Sequence, residues 1–236
     1  MRDSFRHFVA EFVGTFALVF VGGGAIMASD PAKNPAAILQ VAVAHGLILA
    51  LMVTATMRVS GHFNPAVTLG FVVTRRIEPV MAMVYVLAQI VAALLAAYAL
   101  KGLFPAPLAE AYRLGGQSVA LEVTMPQAIL LEAIATFFLT FVIFGTAVDA
   151  RAPKVGGFAI GLTVAADILA IGPLTGASMN PARSFGPALV SGIFEGQAVY
   201  WIGPILGSIA AALLYEWLFI PHPVEPVEHG AVRPVR

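Results

Sequence analysis

Two tripeptides of identical sequence, Asn64-Pro65-Ala66 and Asn180-Pro181-Ala182, hold the residues best suited to act on a small polar molecule. Asparagine caps helix N-termini and proline favours the first helical turn, so each tripeptide predicts a helix start. A helix start carries unpaired N–H groups and the positive end of the helix dipole. If two such ends face each other, each with an asparagine amide left to donate, a passing water is held by its lone pair. Its hydrogen-bonded chain is then broken, and cations and protons meet an electrostatic barrier. The stretches just ahead, Gly61-His62-Phe63 and Gly176-Ala177-Ser178-Met179, predict unwound backbone whose carbonyls form a line of acceptors. Arg183 follows the second tripeptide in an apolar setting, where a guanidinium is costly enough to imply function. The loop around it offers no carboxylate for a structural ion pair. This is binding and barrier chemistry. For bond-making chemistry the chain lacks the parts: it has no cysteine, and no nucleophile with its base, paired carboxylate site, metal cluster or Gly-rich phosphate loop stands out. No enzyme activity, metal or cofactor is read.

The elements that must position these residues belong in a lipid bilayer. Of the 236 residues, 59% are hydrophobic and only 11% charged, against roughly half and a quarter in soluble domains. Mean hydropathy is +0.89. Lys+Arg and Asp+Glu both number 13 with no basic run, which excludes nucleic acid as a partner. Apolar runs over Phe8 to Met27, Ala37 to Met57, Val80 to Leu100, Ala128 to Val148, Gly156 to Ile171 and Val199 to Ile220 predict six membrane-spanning helices. The first reads as a retained span, because Glu11 lies within it and no small-x-small cleavage site follows. Asn64 to Val73 and Asn180 to Val190 are apolar but reach only about 15 Å as helices, half the hydrocarbon thickness, and predict re-entrant half-helices. The Gly22-Gly23-Gly24 run lies in the first span and predicts close helix packing.

An internal repeat explains the pairing of the half-helices. Glu11-Phe12-Val13-Gly14-Thr15-Phe16 resembles Glu132-Ala133-Ile134-Ala135-Thr136-Phe137, with an Asn-Pro-Ala 53 residues after the first glutamate and 48 after the second. Three spans per copy invert the second copy, so the half-helices enter from opposite faces and their starts can meet at the midplane. The expected organisation is one domain over 1–236, with inverted repeats at about 1–115 and 126–225 and a cytoplasmic tail over 221–236. Nine basic residues (Arg2, Arg6, Arg58, Arg75, Arg76, Arg151, Lys154, Arg233, Arg236) share a side with the termini, against Lys33, Lys101 and Arg113 opposite. By the positive-inside rule both termini are expected in the cytoplasm.

With these residues in view, the chain resembles the aquaporin, or major intrinsic protein, family along essentially its whole length. The likeness is carried by Gly61-His62-Phe63-Asn64-Pro65-Ala66-Val67-Thr68, Asn180-Pro181-Ala182-Arg183-Ser184, the two Glu-x-x-x-Thr starts and Tyr200-Trp201-Ile202-Gly203-Pro204. It implies an all-α, multi-pass channel of the cell membrane, a homotetramer with one pore per subunit. That channel passes water and other small neutral solutes and excludes protons and ions. Within the resemblance, Arg183, Ala177 and Ile168 match filter positions. The fourth is His45 if the loop Met57 to His62 is one residue shorter than usual, and Ala44 on an ungapped count. Glu11 and Glu132 match buried glutamates that hold the loops before the half-helices. Asp167 departs from the pattern; it lies about 100° around the helix from Ile168 and reads as facing a packing interface or bracing a loop. His62 is expected to fix the first loop, and His7, His222 and His229 to be exposed. Ser184, Ala188 and Tyr200-Trp201 favour the water channels over glycerol facilitators. The set His45, Ile168, Ala177 and Arg183 resembles plant vacuolar members that also pass ammonia. The alternatives are a glycerol or small-polyol facilitator and, since inverted repeats also build transporters, a secondary transporter.

Overall fold

A computed structural model describes residues 2–153 and 155–221. Lys154, His222, His229 and the tail expected beyond Pro221 lie outside the described residues. Six helices are long and apolar enough to cross a membrane: α1 (Arg2–Ser29), α2 (Ala37–Thr56), α4 (Pro79–Leu103), α6 (Met125–Ile143, extended by a π-helical turn to Val148), α7 (Gly156–Thr175) and α9 (Val199–Leu218). Between them lie the two short helices α3 (Pro65–Val73) and α8 (Pro181–Ser191). A surface helix, α5 (Ala106–Ala111), and a 3₁₀ turn at Arg113–Gly115 follow α4.

The start of α1 and the end of α7 depart furthest from the sequence expectation, for physical reasons. The first helix begins at Arg2, before the apolar run, because a charged opening turn can keep helical bonds without being apolar; His7 Nδ1 bonds Asp3 O at 2.9 Å. That histidine is also half-buried, not exposed as expected, with its ring stacked 5.8 Å from Tyr85. The seventh helix passes Ile171 and runs through Pro173 to Thr175. It stops where Gly176 adopts a left-handed φ of 81° and donates its N–H to Gly172 O at 2.8 Å, a common helix C-terminus.

The packing is paired between the two halves of the chain. The α1–α4 contact is mirrored by α6–α9, and α1–α2 by α6–α7; α2 meets its counterpart α7 directly. Each half-helix crosses to the other copy, α3 packing on α9 and α8 on α4. Glycines make these crossings possible. A Cβ on Gly161 would lie 2.2 Å from Gly46 O, on Gly207 2.0 Å from Ala133 O, and on Gly186 2.5 Å from Ala93 O. Such close backbone approach is how membrane helices gain packing energy where no hydrophobic drive exists between them. Only a third to a half of each span's apolar window is buried within the chain, and outward side chains such as Leu47, Leu51, Leu162 and Leu206 remain for lipid or another subunit.

Candidate functional site

At the centre of the bundle the two half-helices meet start to start. Asn64 Oδ1 accepts from Ala66 N at 2.9 Å, and Asn180 Oδ1 from Ala182 N at 3.0 Å and Arg183 N at 3.3 Å. Each amide nitrogen then crosses the repeat axis: Asn64 Nδ2 donates to Met179 O, and Asn180 Nδ2 to Phe63 O, both at 2.7 Å. An asparagine amide has two N–H groups. One is spent on this crossing, and the other is left for the cavity that both residues line.

The loops reach this arrangement through strained backbone held by buried carboxylates. Phe63 and Met179, each just before its asparagine, have φ of 50° and 52°, and Ala177 has 45°, a region that non-glycine residues seldom occupy. Glu11 accepts from Ser60 Oγ, from the His62 and Phe63 N–H groups at 2.8 and 2.7 Å, and from Gln89 Nε2 at 2.7 Å. In the second copy Glu132 accepts from Thr175 Oγ1 at 2.8 Å and from the Ser178 and Met179 N–H groups at 2.9 and 2.7 Å. These bonds satisfy loop N–H groups that would otherwise be orphaned at membrane depth. Tyr200, in the Tyr-Trp pair of the second copy, adds an O–H donated to Thr175 O at 2.8 Å. His62 bonds Thr68 Oγ1 through Nδ1 at 3.2 Å and packs on Phe71 and Tyr85.

Toward the α5 side, His45 and Arg183 come together. Arg183 Nη2 lies 2.9 Å from His45 Nε2, and His45 Nδ1 lies 2.8 Å from Val41 O. A carbonyl and a guanidinium leave one solution: Nδ1 carries the proton and Nε2 accepts. Both ring nitrogens are thus engaged by the protein, and the ring offers carbon, not a donor or acceptor, to a passing solute. Ile168 and Ala177 share the same cavity, while Ala44 does not line it. Gln117, on the loop after the 3₁₀ turn, is a contact that sequence reasoning missed. With its amide oriented so that both atoms are satisfied, the oxygen accepts from Arg183 Nη1 and, at 3.2 Å, from Nη2. The guanidinium has five N–H donors; these three contacts leave two unclaimed among the described residues. No acid lies within ion-pair distance of Arg183 among them.

One narrow cavity connects these groups, lined by both asparagines, by His45, Ile168 and Arg183, and by the segments Gly61 to Phe63 and Ala177 to Met179. Gly176, expected in the same line of carbonyls, instead lines a separate, wider vestibule that opens beside Gln117 and Arg113. The rest of the cavity wall is largely apolar, with Leu18, Leu49, Leu139 and Val164 among it. The sequence held a signal for them: Leu18 and Leu139 stand seven residues, two helical turns, after Glu11 and Glu132, and Leu49 and Val164 one turn from His45 and Ile168. Asp167 is buried outside the cavity, and its Oδ2 has no hydrogen-bond partner among the described residues.

Comparison with known proteins agrees with this geometry. A family model described as major intrinsic protein matches residues 1–215. A probable aquaporin TIP3-2 from Arabidopsis thaliana is 40% identical over 251 residues, covering 99% of this chain and 91% of the relative. Aquaporin TIP4-4 from Zea mays is 43% identical over 225 residues, covering 91% and 87%. The X-ray structure of the aquaglyceroporin from Plasmodium falciparum superposes with a TM-score of 0.77 at 23% identity, covering 91% of this chain and 96% of that one, a likeness of fold. Because the match covers nearly the whole chain and not only the two tripeptides, the chain belongs to the major intrinsic protein family.

Proposed function

We propose that the chain is a passive transmembrane channel for water that excludes protons and ions. The observation that carries this reading is the reciprocal pair of 2.7 Å bonds from Asn64 and Asn180, which leaves one amide N–H of each beside two helix N-termini in a single narrow cavity. Water there is held by its oxygen and loses continuity with its neighbours, while positive potential from the dipoles and Arg183 opposes cations. His45, Ile168, Ala177 and Arg183 form the selectivity filter in this reading. Carbon surface from Ile168, Ala177 and the His45 ring suits small neutral solutes, so ammonia is a further permeant and glycerol a slow one. Glu11 and Glu132 are structural supports of the loops.

The outward apolar faces support a homotetramer with one pore per subunit. The bias of basic residues supports a cell-membrane orientation with both termini in the cytoplasm. Relatives named aquaporin favour a channel over an enzyme or a coupled transporter. Stopped-flow light scattering on proteoliposomes tests the proposal. Water flux is expected to scale linearly with the osmotic step, with ammonia passing and glycerol slow. Saturable uptake driven by an ion gradient, or proton conductance comparable to water flux, would overturn it.

A further inference from the structure

The ring of His45 fits against Arg183 only because the neighbouring helix presents no side chain there. A Cβ on Gly22 of α1 would lie 2.2 Å from His45 Nε2, 2.6 Å from Cδ2 and 2.8 Å from Cε1. All three atoms belong to the far edge of the ring, the edge that meets the guanidinium. The ring cannot swing clear at no cost, because Nδ1 is bound to Val41 O and Nε2 to Arg183. Nor does the backbone call for glycine here: Gly22 lies inside α1 without a left-handed φ, where alanine is the better helix former. Its two neighbours do something else. A Cβ on Gly23 would meet Leu100 Cδ1 at 2.7 Å and Leu114 O at 2.9 Å, and one on Gly24 would meet Phe104, so these two are helix-packing glycines.

We propose that Gly22 is a positioning residue for solute selection: it seats the His45 ring against α1, away from the path, and thereby sets the width beside Arg183. The proposal rests on the reading of His45 and Arg183 as the filter. A methyl group at Gly22 drives the ring toward the lumen and loosens its hold on the guanidinium, narrowing the opening.

The test is a double-mutant cycle in proteoliposomes at matched protein amounts, using Gly22→Ala, His45→Ala and the pair, with Gly23→Ala as the packing control. Gly22→Ala is expected to lower water permeability roughly fivefold or more, since narrowing at a constriction acts on every passing molecule. In the His45→Ala background the same substitution is expected to change nothing, because the atoms it strikes are gone. Gly23→Ala is expected to lower thermal stability equally in both backgrounds. If Gly22→Ala proves too damaged to reconstitute, recovery of folded protein by adding His45→Ala supports the seat, and failure to recover it overturns it. Equal loss in both backgrounds, or no loss in either, also overturns it. The filter reading fails separately, if His45→Ala alone leaves the glycerol-to-water permeability ratio unchanged.

Discussion

Single atoms decide most of what this site does. Asn64 uses one amide N–H to reach Met179 O at 2.7 Å and keeps the other beside the dipole ends. Asn64→Asp replaces that donor with a carboxylate, which neutralises positive potential where the barrier stands. The expected outcome is retained water flux with a new cation or proton leak, read by pH-sensitive dye in vesicles; a tight variant with normal water flux would refute the dipole account. Glu11→Gln turns an acceptor of four donors into a group that sets an NH₂ against some of them. At about 1–3 kcal/mol for each buried group left unpaired, the variant is expected to unfold well below wild type in a detergent melt and to lose water flux together with stability. The motif residues were legible in sequence because their types are rare in apolar runs. Gln117 was not, because a glutamine in a polar loop carries no sign of where the loop folds. The engagement of both His45 nitrogens also escaped sequence reasoning, since the two partners are one turn away on the same helix and 138 residues distant.

Among the elements, the spans could be read from hydropathy because lipid imposes length and apolarity together. Their ends could not, since a helix that runs past its apolar stretch, as α1 does at Arg2, obeys hydrogen bonding and capping instead. The π-helical turn at Phe144–Val148 likewise leaves no mark in an apolar run. Just past it, outside the membrane-spanning part, Asp149 bonds the Arg151 guanidinium, which in turn donates to Phe219 O and so ties the loop before α7 to the end of α9. Arg151 holds the Asp149 carboxyl down, from its ordinary 3.8 to about 2. A depressed carboxyl stabilises the fold above its unfolded value and loses that contribution as pH falls through the folded one. Asp149→Asn should therefore melt below wild type by a constant margin from pH 7 down to about 5. The margin should close as the pH drops from about 4 toward 2, as measured by thermal unfolding in detergent across that series. A gap that closed between pH 7 and 6 would assign the effect to another group.

For the molecule as a whole, the repeat is read in the sequence from two glutamates and two tripeptides, and the pairings of α3 with α9 and α8 with α4 fit that reading. What sequence left open is how closely the copies approach, which rests on Gly46 and Gly161 lying opposite one another and on Gly186 lying opposite Ala93 O. The outward leucines remaining on α2 and α7 lead to an assembly prediction. Native mass spectrometry from detergent is expected to show four subunits, and paired bulky polar replacements of Leu47 and Leu162 to shift that population toward smaller species; a wild-type monomer would contradict the tetramer.

The crossing bonds of Asn64 and Asn180 also set a schedule for manufacture. They join positions 115 and 117 apart in sequence, and a ribosome adding roughly 5–20 residues per second delivers Met179 about 6 to 23 seconds after Asn64. For that interval the first half-helix has no opposite number. Every partner of Glu11 lies at or before Gln89, and every partner of Glu132 at or before Met179, so each loop is shaped by its own half of the nascent chain. Closure across the axis, and the packing of α3 on α9 and α8 on α4, then waits for the second half of the chain.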